Sequence, residues 1–420
     1  MSYTLSRRRF GAALAGVLGV AALGGCAADA TTASSGSSTS GSSSSAGATI
    51  FDGGTVHDIT LAFDDGAYDA MIEAYLKDGT KDWIEATVTI DGSSYEKAGL
   101  RLKGNSSLRG LSGDDSPQDL PWLIRLDKFV DGRQHQGYAE FVVRSNNTAS
   151  ALNEAVALEL LGRAGLATEK SFSTSLSVNG GDRVLRLVVE NPGDKWDADN
   201  FTGAGLLYKA ESGGDYSYRG DDAASYEDVF DQEAGEDDLT PLIAFLEFIN
   251  ESDDATFGAD LGKYLDVDAF ATYLAFQDLV QNSDDIDGPG NNSYLRYTAD
   301  TKIMTVVNWD LNLAFGGMGG GRDGGGDGGV RPQPSGMPGN RGGGRGGRSN
   351  ILVTRFQADD VYAGKYTQAQ SDLKEALYTS GVAQTVLDRR AKVLTEQASD
   401  LVSADTITSD ASKISAYFSG

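Results

Sequence analysis

Between residues 281 and 316 the chain runs Asn282-Ser283-Asp284-Asp285-Ile286-Asp287, then Asn292, then two short apolar stretches, then Trp309-Asp310-Leu311-Asn312. Acid, asparagine, hairpin and second acid are the groups that phosphoryl transfer needs at one point in space. One carboxylate takes or orients the proton of the attacking hydroxyl, and an amide and a second carboxylate hold metal beside the phosphates. A hairpin is a stiff way to bring two sequence-distant acids together. Asp310 is the hardest to explain otherwise, because it lies beside a tryptophan between apolar runs and carboxylates are rarely buried without a partner or metal. Asp284, Asp285, Asp287 and Asn291 also resemble a calcium loop, although the spacing and closing glutamate of an EF-hand are absent.

The remaining inventory excludes several chemistries. Cys26 is the only cysteine, and His57 and His135 are the only histidines, so disulfides, thiol catalysis and a His-rich zinc site are not expected. A formal net charge of −26 argues against nucleic acid as a partner, since phosphate backbones are bound by Lys and Arg. Chemistry must come from Asp, Glu, Lys, Arg, Asn and hydroxyls.

The first residues carry an address. Ser6-Arg7-Arg8-Arg9-Phe10 is basic, and residues 11–23 form an apolar run too short to span a bilayer comfortably. Leu23-Gly24-Gly25-Cys26 resembles a lipobox, and the arginines resemble a twin-arginine export signal. Residues 1–25 are therefore expected to be a removed signal peptide. Cys26 would be lipidated, and the protein would be exported and held on the outer face of the cell membrane. Residues 26–49 are a Ser-rich tether unable to bury a core, and residues 50–420 read as one domain. Within it, residues 316–349 form a Gly/Arg-rich stretch expected to be a disordered insertion.

The elements that must position the acids follow from periodicity. Strands are expected over 55–63, 84–90, 99–103, 122–129, 139–144, 176–178 and 184–190, with hairpin turns at Asp91-Gly92 and Asn179-Gly180. Helices are expected near 68–77 and over 152–164, where Leu152, Ala155, Val156, Leu160 and Ala164 recur at helical spacing ahead of Gly165. Further helices are expected over 240–250, 267–280, 371–387 and 389–403, and a hairpin over 293–308. The class is α+β, strand-rich first and more helical later.

Seven segments in order resemble the CotH kinase family, named for a bacterial spore coat protein. They are Gly99-Leu100-Arg101-Leu102-Lys103-Gly104-Asn105-Ser106-Ser107, residues 121–128, Leu152-Asn153-Glu154-Ala155, Leu206-Leu207-Tyr208-Lys209, Asn282-Ser283-Asp284, Asn292-Ser293-Tyr294-Leu295 and Trp309-Asp310-Leu311-Asn312. The resemblance implies an atypical protein-kinase-like two-lobe fold and ATP-dependent phosphorylation of Ser or Thr on protein substrates, with Mg²⁺ or Mn²⁺. It makes Asp284 the match for the catalytic aspartate, with Asp285 its rival, and Asp310 and Asn292 the metal residues. The gap of eight from Asp284 to Asn292, with no His-Arg ahead of it, departs from ordinary protein kinases. On the nucleotide side the candidates are Arg101, Lys103, Ser106 and Lys128, with Glu154 as the partner of the phosphate-binding cation and Glu190 near the adenine. Lys128 and Lys103 remain alternatives for that cation. A catalytically silent scaffold or adhesin, one that binds calcium, and an AMP transferase of the same fold are the competing readings.

Overall fold

A computed structural model describes residues 49–289, 291–317 and 350–419. The expected signal peptide, the lipidation at Cys26, nearly all of the tether and residues 318–349 of the glycine-rich stretch lie outside the described residues. Ala48–Gly420 forms one unit.

Its first half is a closed seven-stranded barrel. Strand β1 (Val56–Phe63) buries Ile59 and Leu61 and exposes alternate residues, as period-two patterning requires. It is followed by α1 (Asp65–Asp78), which starts where the Asp64 carboxylate accepts the Ala67 N–H at 3.0 Å and stops at left-handed Gly79. Strands β2 (Ile84–Ile90) and β3 (Ser93–Leu102) are joined by Asp91-Gly92, both at positive φ, the geometry of a tight hairpin. β4 (Trp122–Arg125) and β5 (Glu140–Val143) precede α2 (Leu152–Arg163), and β6 (Ser171–Val178) and β7 (Val184–Val189) complete the set. The order β1-β2-β3-β4-β5-β7-β6 closes through a parallel β1–β6 pair, with Ile59 beside Leu176. Leu61, Val88, Leu100, Trp122, Ile124, Phe141 and Phe172 belong to the core that fills it.

The second half is built on a four-stranded sheet. After α3 (Asp194–Asn200) come β8 (Gly205–Ala210) and β9 (Phe230–Ala234), then α4 (Thr240–Glu251), α5 (Asp254–Asp260) and α6 (Val267–Leu279). The hairpin of β10 (Ser293–Thr298) and β11 (Ile303–Asn308) joins the sheet in the order β11-β10-β8-β9. Four helices close the chain: α7 (Ile351–Ala358), α8 (Asp360–Leu373), α9 (Val382–Gln397) and α10 (Ala404–Ser415). Helix α2 packs between barrel residues such as Leu123 and Leu187 and residues of α6, α9 and α10. Nine of its residues are buried, including Asn153 and Glu154. Each fully buried leucine of such a helix contributes about 1.5–3 kcal/mol.

The α+β class is as expected; the closure of the barrel is not legible from strand patterns. The strand expected over 122–129 ends at Arg125, because the next residues turn: Arg125 Nε donates to Asp127 Oδ1 at 2.9 Å, and the Lys128 N–H to the Arg125 carbonyl at 3.3 Å. The helices expected over 371–387 and 389–403 are cut differently. Gly381, at φ 77°, separates α9 from the preceding helical run, and Asp388 lies inside α9. Among the described residues no helix is long and apolar enough to cross a membrane.

Candidate active site

The hairpin register explains why the distant acids meet. Ser293 pairs with Asn308 at the open end of β10–β11, so Asn292 and Trp309 leave the ladder side by side and Asp310 follows. Gln277 of α6 pins both approaches. Its Nε2 donates to Asn308 Oδ1 at 2.8 Å, and its Oε1 accepts Asn282 Nδ2 at 2.9 Å. The acidic loop then folds onto itself: the Asn292 N–H donates to the Asp285 carbonyl at 3.1 Å, and Asn292 Nδ2 to the Asp284 carbonyl at 2.9 Å. Asn292 thereby keeps Oδ1 as its acceptor atom.

Asp310 sits at φ 62°, a left-handed conformation that aspartate tolerates better than most residues. Its Oδ1 accepts Arg144 Nη2 at 2.8 Å. Arg144, at the end of β5, also donates Nε to Glu154 Oε1 at 2.9 Å and a second bond from Nη2 to the same oxygen. One guanidinium therefore ties the glutamate of α2 to the acid beyond the hairpin. The Glu154 carboxyl is pushed up to about 7, chiefly by burial, with Arg144 opposing and Asp310 adding to the rise. The Arg144 guanidinium is held more firmly protonated than usual, because Asp310 and Glu154 outweigh its own burial. Helix α2 makes a second tie: Asn153 Nδ2 donates to the Asn312 carbonyl at 2.6 Å.

A cleft of about 430 Å³ lies between the barrel and the four-stranded sheet. Arg101, Lys103, Ser106, Glu154, Asp284, Asn292 and Asp310 all border it, together with Lys81, Arg144, Lys209 and Glu233. Lys103, just past β3, donates Nζ to Asn191 Oδ1 at 3.1 Å and lies 5.5 Å from the Trp309 ring centroid. Arg144 lies 5.2 Å from the same ring. Burial brings the Lys103 ammonium down to about 8, with Lys209 and Arg101 adding repulsion. The following loop is braced by Lys81 Nζ, which donates to the Gly104 carbonyl at 2.5 Å, and by a bond from Asn105 Nδ2 to Ser212 Oγ. Gly104, at φ 115°, leaves no room for a Cβ, which would strike Ser107 Oγ.

Three expected residues do not border the cleft. Lys128 sits in the turn after β4 with its ammonium 4.9 Å from the Trp83 centroid, in space opened by the missing side chain of Gly99. Glu190 accepts both the Lys170 N–H at 2.7 Å and Lys170 Nζ at 3.3 Å, so it fastens the end of β7 to the start of β6. Asp285 is buried, and its Oδ1 accepts the Asp287 N–H at 3.0 Å, which shapes the loop that presents Asp284. Sequence reading missed Arg144, whose only signal is a cation closing the apolar run Phe141-Val142-Val143 ten residues before Glu154.

Among the described residues no three His, Cys, Asp or Glu side chains are grouped to hold a metal unaided. Asp284, Asp310 and the amide of Asn292 instead offer a partial set of hard oxygen donors on one cleft. That set fits a cation of the Mg²⁺ type, which binds through one or two carboxylates and completes its shell with water and substrate phosphates. The mixture of cations and acids suits a polyanion carried with a divalent metal.

Compared with known proteins, residues 100–412 match a family model described as "CotH kinase protein". No curated protein matches the chain.

Proposed function

The chain belongs to the CotH kinase family, and from that premise we propose that it is an ATP-dependent kinase of protein Ser or Thr hydroxyls, using Mg²⁺ or Mn²⁺. One observation carries the reading: Arg144 is bonded to both Glu154 and Asp310 at the wall of a cleft that Lys103, Asp284 and Asn292 also line. In this reading the barrel is the nucleotide-side lobe of a kinase-like fold, and the four-stranded sheet with its helices is the other.

ATP with its metal would supply an electrophilic phosphorus and an ADP leaving group. The chain's own residues do the positioning. Lys103 and Arg101 oppose phosphate charge, and the loop of Gly104 to Ser107 offers backbone N–H groups and hydroxyls to phosphate oxygens. Asp310 and Asn292 would hold the metal. Arg144 fixes the carboxylate of Asp310 against Glu154 before anything binds, so little reorganisation accompanies the reaction. Asp284 orients the acceptor hydroxyl and takes its proton as the new O–P bond forms.

Incubation of the protein with Mn²⁺ and γ-labelled ATP should transfer label to a protein acceptor or to the chain itself, and α-labelled ATP should transfer none. Asp310→Ala should lower that transfer by at least about 10²-fold. Label arriving only from the α position would make the protein a nucleotidyl transferase, and full activity of Asp310→Ala would remove the metal assignment.

The same reading places the kinase outside the cell, held by lipid on Cys26 to the outer face of the membrane. Its support is the basic, apolar and Leu-Gly-Gly-Cys succession of residues 6–26. The mature protein should lack residues 1–25 by mass spectrometry and carry a lipid-sized increment on Cys26. An intact, unmodified N-terminus would exclude it.

A further inference from the structure

A second pocket of about 370 Å³ adjoins the cleft and shares Ser212 and Pro289 with it. Its wall at Gly288 stands directly behind the proposed base: a Cβ on Gly288 would come within 2.5 Å of Asp284 Cα. Asp284 borders the cleft on the other side of the shared Ser212 and Pro289.

The chemistry of the lining selects the occupant. The pocket's apolar lining residues are Tyr216 and Ile286, both buried, and the more open Pro289 and Ile351. Most of the polar side chains around them are engaged with the protein. Tyr216 Oη is hydrogen-bonded to Ser293 Oγ at 2.8 Å, and Asn250 Nδ2 donates to the Tyr216 and Leu246 carbonyls, both at 2.8 Å. Asn291 Nδ2 donates to the Glu211 carbonyl at 3.2 Å. Asn350 uses its side chain to cap α7, accepting the Leu352 N–H at 2.9 Å. Among the described residues no lysine or arginine borders the pocket. Asp215, the one charged residue among the described residues there, is paired with Arg219 at 3.0 Å. Of the side chains bordering it, those of Tyr216, Ile286, Pro289 and Ile351 offer apolar contact.

Resting on the kinase reading, we propose that this pocket receives a large apolar side chain, leucine or phenylalanine, of the protein substrate, placed a few residues from the hydroxyl that is phosphorylated. The nucleotide cleft would then fix the phosphate and the second pocket would choose the acceptor sequence. Filling such a pocket with the right side chain is worth about 10–200-fold in discrimination.

The test uses the full chain and fluorescent serine peptides that carry leucine or alanine at each position from three before to three after the acceptor. Binding is measured by anisotropy without nucleotide, and transfer by γ-labelled ATP. One flanking position should favour leucine by about tenfold or more in both assays. Ser217→Trp, which fills the pocket from its exposed rim, should erase that preference, and Ile351→Ser, which removes an apolar wall, should reduce it. A leucine preference in binding, erased by Ser217→Trp and reduced by Ile351→Ser, without any transfer would sustain the pocket and sink the kinase reading. Transfer that is indifferent to the flanking residue would do the reverse. Equal binding of leucine and alanine peptides, or a preference untouched by both variants, overturns the proposal.

Discussion

At the scale of single residues, two cations compete for the phosphate role and only one borders the cleft. Lys103 does, and its ammonium is brought down to about 8 by burial. The free protein therefore loses that charge as pH rises through about 8, two and a half below the 10.5 of an exposed lysine. The kcat/KM for ATP, which reports the free enzyme, should fall above pH 8, and Lys103→Arg should remove the fall because arginine stays charged. Lys103→Ala should raise KM for ATP by about tenfold or more, whereas Lys128→Ala should leave it nearly unchanged. A steady-state pH profile of the three variants checks both statements. Arg144 is a different case, since its planar fork meets two acids at once. Arg144→Lys keeps the charge and loses the fork, so transfer should drop sharply while the fold survives, measured by activity beside circular dichroism.

Secondary-structure elements act here through what they hold. Helix α2 presents successive residues to the site: Asn153 ties down the backbone beyond Asp310, and Glu154 anchors Arg144. Asn153→Ala should lower stability by about 1–2 kcal/mol in denaturant melts and lower kcat more than KM, because Asp310 is misplaced rather than lost. An unchanged kcat would detach α2 from positioning. The elements were largely legible in the residues. Helix α2, the 293–308 hairpin and most barrel strands announce themselves by periodicity and turn residues. The convergence of Asp284, Asn292 and Asp310 follows from a hairpin that sequence can see. What could not be read was anything set by non-local pairing. The parallel β1–β6 contact that closes the barrel joins residues far apart in the chain. Lys128 lay on a stretch that looks like continuing strand, and only the Asp127 turn carries it away from the cleft. Arg144 gave no local sign of the acids it would meet.

For the molecule as a whole, a buried carboxyl outside the cleft lining couples stability to pH. Glu169 is 2% exposed and neither carboxylate oxygen has a hydrogen-bond partner among the described residues, so burial pushes it up to about 8 from an ordinary 4.5. The native state then holds a proton that the unfolded chain releases between pH 4.5 and 8, and stability falls as pH rises across that window. Glu169→Gln should remove this dependence, with little effect on Tm near pH 4.5 and a gain of about 1–3 kcal/mol by pH 8. Parallel melting curves across that range would refute the assignment. The two pockets, the barrel and the sheet come together in one account only if the cleft carries a metal-bound nucleotide. Its most direct test is a crystal structure with a non-hydrolysable ATP analogue and Mg²⁺. The account predicts the ion about 2.0–2.1 Å from an Asp310 carboxylate oxygen, with Asn292 beside it and the phosphates against Lys103. An analogue bound outside this cleft, or an ion that ignores Asp310, would contradict it.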